Sequence, residues 1–177
     1  MKRLFVWLLC AAALAGCAEK YYDSMGNPIS KAQMEQFRTA AVRGHLEARR
    51  YRVFVDRMYP LRGPSVMLRE DWGMEVSRDS VGLFLPYFGR VYQVPYGRGQ
   101  GLNLVAPLTS YREEPIKNGV RIMMSTRSDQ ESYQLVMEVF DNAIINLSVI
   151  PSGKDVIRFT GMMELHDVFS MQRNRTL

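Results

Sequence analysis

Histidine and cysteine, the side chains most often used as bases, thiol nucleophiles and zinc ligands, are scarce in this sequence. The 177 residues include two histidines, His45 and His166, and two cysteines, Cys10 and Cys17. Two distant histidines without neighbouring thiols make a poor zinc set, because zinc sites need three or four ligands. The acidic pair Glu113-Glu114 is adjacent in sequence, so on a strand its members point to opposite faces. We therefore predict no metal, no cofactor and no catalytic residue.

Cys17 closes an amino-terminal segment with a distinctive pattern. Lys2 and Arg3 precede the uncharged apolar run 4–14, and Leu14-Ala15-Gly16-Cys17 follows. This order is typical of a secretory signal, and the run is shorter than the about 20 apolar residues that cross a bilayer. The Leu-Ala-Gly-Cys ending resembles the lipobox of bacterial lipoproteins. That resemblance implies cleavage before Cys17 and lipidation of Cys17; a plain export signal is the alternative.

The predicted anchor determines where we expect the protein to be. It would attach the chain to a membrane of the cell envelope, the outer membrane rather than the inner, with the domain in the periplasm or at the cell surface. Removal of residues 1–16 would leave 177 − 16 = 161 residues, enough for one domain. Loss of Lys2 and Arg3 would lower the net charge from +5 to +3, a mild excess that serves solubility. Because export separates the chain from nucleic acid, we expect no nucleic-acid partner.

The mature chain divides into two parts by pattern. We assign residues 17–29 to the lipidated cysteine and a tether, and residues 30–177 to one domain that begins with a helix. The spacing predicts that helix over residues 31–49, with Ser30 and Gln33 placed to form a capping box. Its apolar positions recur at helical spacing: Met34, Phe37, Ala41, Val42 and Leu46.

After Tyr51 the apolar residues recur at every second position, which predicts strands. Turn signals such as Asn118-Gly119 separate them, and the connections are too short for parallel crossovers. The strands are read from these alternating sets: Val53 and Val55; Val66 and Leu68; Met74 and Val76; Val81, Leu83 and Leu85; Leu102 and Leu104; Val120, Ile122 and Met124; Tyr133, Leu135, Met137 and Val139; Ile145, Leu147 and Val149; Ile157, Phe159 and Met163. We predict a mainly β fold, an antiparallel meander curled into a barrel-like sheet or sandwich with one amino-terminal helix. An α+β fold with a single open sheet is the alternative.

Aromatic, arginine and glycine residues are concentrated between Pro86 and Gly101. Aromatic faces and guanidinium groups suit stacking on sugars or planar anions, whereas buried aromatics with glycine bends would simply plug one end of the β core. We favour the plug and retain the segment as the candidate binding or structural motif. Its members are Tyr87, Phe88, Arg90, Tyr92, Tyr96 and Arg98.

The same segment carries a family resemblance. The stretch DSVGLFLPYFGRVY at 79–92, followed by PYGRGQGL at 95–102, is similar to the core motif of bacterial envelope lipoproteins grouped as domain of unknown function 4251. The flanking YPLRGPSVML at 59–68 and APLTSY at 106–111 resemble further parts of that family's pattern. The resemblance supports the envelope compartment and the fold, and it implies no catalytic residue.

Three functions follow as hypotheses. The first is a non-enzymatic envelope lipoprotein, a binding or interaction module for an envelope protein or glycan. The second is a carrier with a pocket inside the curled sheet for a small apolar or glycan ligand. The third and weakest is a hydrolase. A filled interior with an exposed aromatic patch would favour the first, since exposed apolar patches mark interaction sites.

Overall fold

The computed structural model describes residues 21–23, 25–69, 71–87, 101–129 and 131–165. The chain forms two compact units, Met1–Gln36 and Phe37–Leu177. In chain order the elements are β1 (Tyr21–Tyr22), β2 (Pro28–Ile29), α1 (Lys31–Glu47), β3 (Arg50–Pro60), β4 (Val66–Met67), β5 (Gly73–Ser77), β6 (Ser80–Pro86), β7 (Gly101–Ile116), β8 (Gly119–Arg127), β9 (Ser132–Phe140), β10 (Ile144–Pro151) and β11 (Ile157–Glu164).

The described part of the first unit contains a small hairpin where the sequence predicted only a tether. Strands β1 and β2 pair antiparallel, with Tyr21 opposite Ile29. The Asp23 carboxylate accepts hydrogen bonds from the backbone N–H groups of Met25 at 2.9 Å and Asn27 at 2.8 Å. Gly26 has a φ of +81°, a conformation that glycine adopts without strain. The sequence Gly26-Asn27-Pro28, whose residue types are common in turns, therefore leads from the turn of this hairpin into β2.

The second unit is built on a closed antiparallel barrel, which confirms the predicted mainly β fold. The ring order is β3-β5-β6-β7-β8-β9-β10-β11, and β11 pairs back with β3 to close it. Closure runs from Ile157 opposite Pro60 to Glu164 opposite Arg52, with a bulge between Thr160 and Gly161. Strand β4 pairs with β3 outside the ring. Because the ring is closed, the open-sheet alternative is wrong.

Side chains from every strand of the ring fill its interior. The alternating apolar residues of the ring strands point inward, as the period-two pattern predicted, and form one contiguous buried cluster. The prediction is wrong for Val66, which lies on β4 outside the ring and is 40% exposed. Eight strands enclose a space just wide enough for side chains to fill. The largest of these fully buried side chains include Tyr51, Phe159, Met58, Met74 and Met137.

Helix α1 spans Lys31–Glu47, two residues shorter than predicted. The capping box is present: Gln33 N–H donates to Ser30 Oγ at 3.2 Å, and Ser30 N–H donates to Gln33 Oε1 at 2.9 Å. Val42 and Leu46 are buried in the barrel cluster, whereas Phe37, which the sequence placed on the apolar face, is 58% exposed. The helix thus contributes to the core through its last turns alone.

The two ends of the barrel differ in what closes them. At the helix end lie the turns after β5, β7 and β9, and Thr39 Oγ1 donates to the Asp141 carbonyl oxygen there at 3.3 Å. At the loop end lie the β3–β4 hairpin, the turn at 128–131, the connection 152–156 and the carboxyl end of β6. The β7–β8 hairpin is confirmed, but its two turn residues are Lys117 and Asn118, because Ile116 already pairs with Gly119.

Candidate functional site

Tyr87 lies at the loop end of the barrel, directly after β6. It is 93% buried, with 7% of its surface exposed. Its hydroxyl donates to the Asp155 carbonyl oxygen at 3.2 Å, and the Lys154 ammonium lies 5.7 Å from its ring centroid. The side chain therefore ties the end of β6 to the connection between β10 and β11. Within the described residues this is the packing that a plug of the core requires.

Glu131 is the hub of the polar network beside Tyr87. One carboxylate oxygen accepts from the Gly153 N–H at 2.9 Å. The other accepts from the Tyr133 hydroxyl at 2.8 Å and from the Lys154 ammonium at 2.8 Å. The network joins the turn at 128–131 to strand β9 and to the β10–β11 connection.

The charge state of Glu131 argues against a role for this carboxyl as a general acid. Burial raises the pKa of its carboxyl, but the hydrogen bonds from Lys154, Tyr133 and Gly153 outweigh burial, and the pKa lies below the ordinary 4.5. A general acid at neutral pH needs the opposite shift. The carboxylate is ionised and saturated with donors, so its chemistry here is structural.

A second polar cluster lies on the opposite, helix end of the barrel. The fully buried Tyr51 hydroxyl lies 3.4 Å from the Tyr111 hydroxyl, and Tyr111 donates to Glu113 Oε1 at 2.7 Å. The Arg49 guanidinium lies 4.6 Å from the Tyr111 ring centroid. Burial raises the pKa of both phenols above their ordinary range. Both tyrosines therefore stay protonated and act as hydrogen-bond donors.

An apolar row crosses the outer wall of the barrel. Cross-strand pairing places Ile144 beside Met162, Met162 beside Phe54, and Phe54 and Phe84 on either side of Gly73. We call these four side chains the wall stripe. Ile144 is 43% and Met162 50% exposed, and the two phenylalanines are half-buried. Outward positions of an antiparallel sheet are ordinarily polar, so this row is unusual for a wall that faces water.

Val105 extends the wall stripe on strand β7. It is 54% exposed. Its Cγ2 atom and the Phe84 Cε2 atom would lie 3.6 and 3.7 Å from a methyl group built on Gly82. The two side chains thus meet above the same glycine, and the apolar surface continues from β6 to β7.

A buried ionic row lies next to the wall stripe. Arg52 pairs with Glu75 on β5 and with Glu164 on β11 in the strand register. Its guanidinium lies 3.7 Å from Glu164 Oε2 and 4.4 Å from the Phe54 ring centroid. Glu75 is 7% exposed; burial raises the pKa of its carboxyl, and the positive charge of Arg52 opposes that shift.

The sequence-predicted site residues lie mostly outside the described ranges. Of the candidate motif, the described residues include Tyr87; Phe88, Arg90, Tyr92, Tyr96, Arg98 and the predicted lipidation site Cys17 lie outside them. Among the described residues no group of three or more His, Cys, Asp or Glu side chains is arranged to hold a metal ion. His45 lies in the last turn of α1, with Nδ1 3.1 Å from the Arg50 carbonyl oxygen, and His166 is outside the described residues.

Sequence reasoning missed both the Glu131 hub and the wall stripe. Glu131 and Lys154 are 23 residues apart, and nothing in the local pattern joins them. The wall stripe consists of apolar residues at outward positions of four separate strands. An available signal was the break in alternation, since Phe54, Phe84, Ile144 and Met162 each interrupt the polar face of a strand.

Within the described part of the chain, no helix is long and apolar enough to cross a membrane.

The fold defines the class of protein: a small antiparallel β-barrel with a packed interior, one short extra strand and an amino-terminal helix. The family model described as Domain of unknown function (DUF4251) matches residues 33–163. The chain belongs to this family.

A solved structure supports the fold. The chain is similar to a DUF4251 family protein from Bacteroides eggerthii, with a TM-score of 0.60 and 12% sequence identity; the match covers 75% of this chain and 91% of that one. At this identity the likeness shows the fold alone. No curated protein gives a significant match.

Proposed function

We propose that the chain is a lipid-anchored protein of the bacterial cell envelope whose barrel is a non-enzymatic interaction module. The wall stripe is the proposed contact surface for a protein partner. The observation that carries the proposal is the continuous run of partly exposed apolar side chains from Ile144 through Met162 and Phe54 to Phe84.

The dimensions of the wall stripe suit a protein contact. It crosses five neighbouring strands, β10, β11, β3, β5 and β6, which at about 4.8 Å between strands spans about 19 Å. Exposed apolar patches on small proteins commonly mark interaction sites. A strip of this length matches the apolar face of one partner helix or strand.

The filled barrel interior supports an interaction module over a carrier. Inward side chains such as Tyr51, Phe159 and Met137 are fully buried in one cluster. A carrier needs an enclosed apolar space for its ligand. The described interior is occupied by the protein's own side chains, so the outer surface is the better place for recognition.

Photo-crosslinking in the intact envelope tests the contact surface. A photoreactive residue in place of Met162 should crosslink one dominant partner. A matched residue in place of Gln134, exposed on β9, should not. Met162→Ser together with Val105→Ser should abolish capture and leave the melting temperature nearly unchanged, because changes at exposed positions shift stability by about 0.5 kcal/mol or less. Equal crosslinking from both positions, or undiminished capture by the double variant, would contradict the proposal.

Fatty-acid labelling tests the anchor separately. The wild-type chain should take up labelled fatty acid in its own cell, and Cys17→Ala should take up none. Because the serine variants retain Cys17, loss of partner capture and loss of anchoring are separate readouts. Equal labelling of wild type and Cys17→Ala would remove the lipoprotein half of the proposal and leave the contact surface standing.

A further inference from the structure

The β3–β4 hairpin carries a second exposed apolar surface, distinct from the wall stripe. Strand β4 pairs with β3 outside the ring of eight strands, with Arg57 opposite Met67 and Met58 opposite Val66. We call residues 59–67 the hairpin tip. Its apolar side chains are exposed to a large degree: Tyr59 37%, Leu61 60%, Val66 40% and Met67 67%.

The hairpin tip is held in shape by its own sequence. Pro60 and Pro64 restrict the backbone on both sides of Gly63, which has a φ of +100°. The Arg57 guanidinium donates to Ser65 Oγ at 3.3 Å across the hairpin. The apolar side chains are therefore presented on a preformed loop, and contact with another surface need not order it first.

Positive charge lies at the hairpin tip, between acidic residues that precede and follow the hairpin. Residues 57–69 include Arg57, Arg62 and Arg69, whereas Asp56 precedes this range and Glu70 and Asp71 follow it. Arg158 on β11 is exposed and lies opposite Tyr59 in the strand register. The described acidic residues nearby stand at the base of the hairpin: Asp56, which accepts a hydrogen bond from Thr160 Oγ1 at 3.1 Å, and Asp71, which precedes β5.

We propose that the hairpin tip is a membrane-contact element for an anionic phospholipid bilayer. Leu61 and Met67 enter the boundary between headgroups and acyl chains, where apolar side chains are buried without crossing the membrane. Arg62 and Arg158 bind lipid phosphates, which guanidinium groups match in geometry and charge. Apolar residues alone would fit a protein groove equally well. Arg62 within the tip and Arg158 opposite Tyr59, with Asp56 and Asp71 at the base of the hairpin, favour an anionic surface over an apolar partner.

A polarity-sensitive dye tests the contact directly. The full chain is isolated from its own envelope and labelled at Leu61→Cys or, as a control, at Gln134→Cys, an exposed position on β9; a preparation without an introduced cysteine provides the blank. Each is mixed with vesicles of phosphatidylcholine, alone or with an equal share of phosphatidylglycerol. We expect a blue shift and quenching by a lipid-borne quencher at position 61 with the anionic vesicles, and neither change at position 134.

Charge variants test the arginines. Arg62→Ser should weaken the anionic-vesicle response at position 61 by about fivefold, and Arg62→Ser with Arg158→Ser by about twenty-fivefold. Arg127→Ser is the matched control, because Arg127 is exposed on β8, four strands from β3 in either direction around the ring. It should leave the response unchanged.

Several outcomes would overturn the inference. A dye at position 61 that stays in water with both vesicle types refutes membrane contact, as does a response that Arg62→Ser and Arg127→Ser reduce equally. An equal response to both vesicle types removes the anionic lipid as the ligand. The inference does not rest on the lipid anchor, because the dye at position 61 reports on the hairpin tip alone. If the chain floats with vesicles only while Cys17 is intact, and the dye at position 61 stays in water, the lipid anchors the chain and the hairpin tip does not contact the membrane.

Discussion

The Lys154 ammonium lies 2.8 Å from Glu131 Oε2, and the two side chains keep only 9% and 10% of their surface exposed. This ion pair joins the two connections at the loop end of the barrel, next to the Tyr87 ring. A buried pair adds little net stability, because desolvation of both ions offsets their attraction. Removal of one partner is costly, because it leaves the other charge buried. The pair is therefore a constraint on how the loop end is assembled.

Loss of the Lys154 charge should destabilise the fold. We expect Lys154→Met to lower the free energy of unfolding by about 3 kcal/mol, measured by urea denaturation at neutral pH. The matched control is Arg112→Met, which breaks an exposed pair with Glu114 at 3.2 Å and should cost less than about 1 kcal/mol. Glu131→Gln in the Lys154→Met background should recover part of the loss. If Lys154→Met and Arg112→Met lowered the free energy of unfolding equally, the ion pair of Lys154 and Glu131 would matter no more to stability than an exposed pair.

The contributions of Glu131 and Glu75 to stability should change with pH in opposite directions. Burial raises the pKa of Glu131, but its hydrogen-bond donors lower the pKa by more than burial raises it, so the pKa lies below 4.5. Its contribution to stability is thus present above pH 4.5 and lost as the pH falls through the lower folded-state pKa. Burial raises the pKa of Glu75 above 4.5. Its ionisation opposes folding as the pH rises above 4.5, and the full penalty is reached above its folded-state pKa.

Thermal melts of two glutamine variants check these signs. Glu131→Gln should melt below wild type near neutral pH, with a difference that shrinks on acidification to below the folded-state pKa. Glu75→Gln should melt at or above wild type near neutral pH, with any gain disappearing in acid. If Glu75→Gln were less stable than wild type at neutral pH but not in acid, the Glu75 carboxylate would be stabilising. The pKa of Glu75 would then be lowered in the folded protein and not raised.

Two glycines should respond to alanine in opposite directions. A methyl group on Gly161 would fall on the Phe54 carbonyl oxygen at the β11 bulge, so Gly161→Ala must displace strand β3 and should lose several kcal/mol or fail to fold. Gly44 lies within α1 with no atom within 4 Å of the added methyl, so Gly44→Ala should gain up to about 1 kcal/mol. Denaturant midpoints of the two purified variants provide the measurement. A Gly161→Ala protein as stable as wild type would contradict the close approach of β11 to β3.

The contribution of Tyr87 to the free energy of unfolding can be divided into a polar and an apolar part by two substitutions. Tyr87→Phe removes the hydrogen bond to the Asp155 carbonyl oxygen and should cost about 1 kcal/mol. Tyr87→Ala empties a buried aromatic site and should cost about 3–5 kcal/mol. Phe88→Ala remains a prediction of the same size, since Phe88 is outside the described residues. A Tyr87→Ala protein that unfolds at the same denaturant concentration as wild type would show that Tyr87 does not plug the core.

Local features were predictable from the sequence because their causes are local. Alternation in strands such as Tyr133–Val139 follows from one face packing inward, and the Ser30–Gln33 capping box follows from side chains three residues apart. The helix end was placed within two residues. The exposure of Phe37 was not predictable, because periodicity shows which residues share a helix face and not how far the core extends along it.

Features that depend on register could not be predicted. The wall stripe requires Met162 to stand beside both Ile144 and Phe54, and a shift by one residue would turn every side chain to the other face. The row of Glu164, Arg52 and Glu75 depends on the same register and carries no motif. The Glu131 hub depends on two connections meeting at one end of the barrel, which single-sequence patterns do not encode.

Closure of the ring has a consequence for the order of assembly. Thr160 Oγ1 donates to Asp56 Oδ1 across 104 residues of sequence, so strand β3 gains this neighbour only after β11 has been synthesised. Such non-local pairing slows folding, and until it forms both β3 and β10 present open edges to other chains. A nascent chain whose residues 157–164 have not yet been synthesised has no ring, and protection of those two edges is what a chaperone for this protein would have to provide.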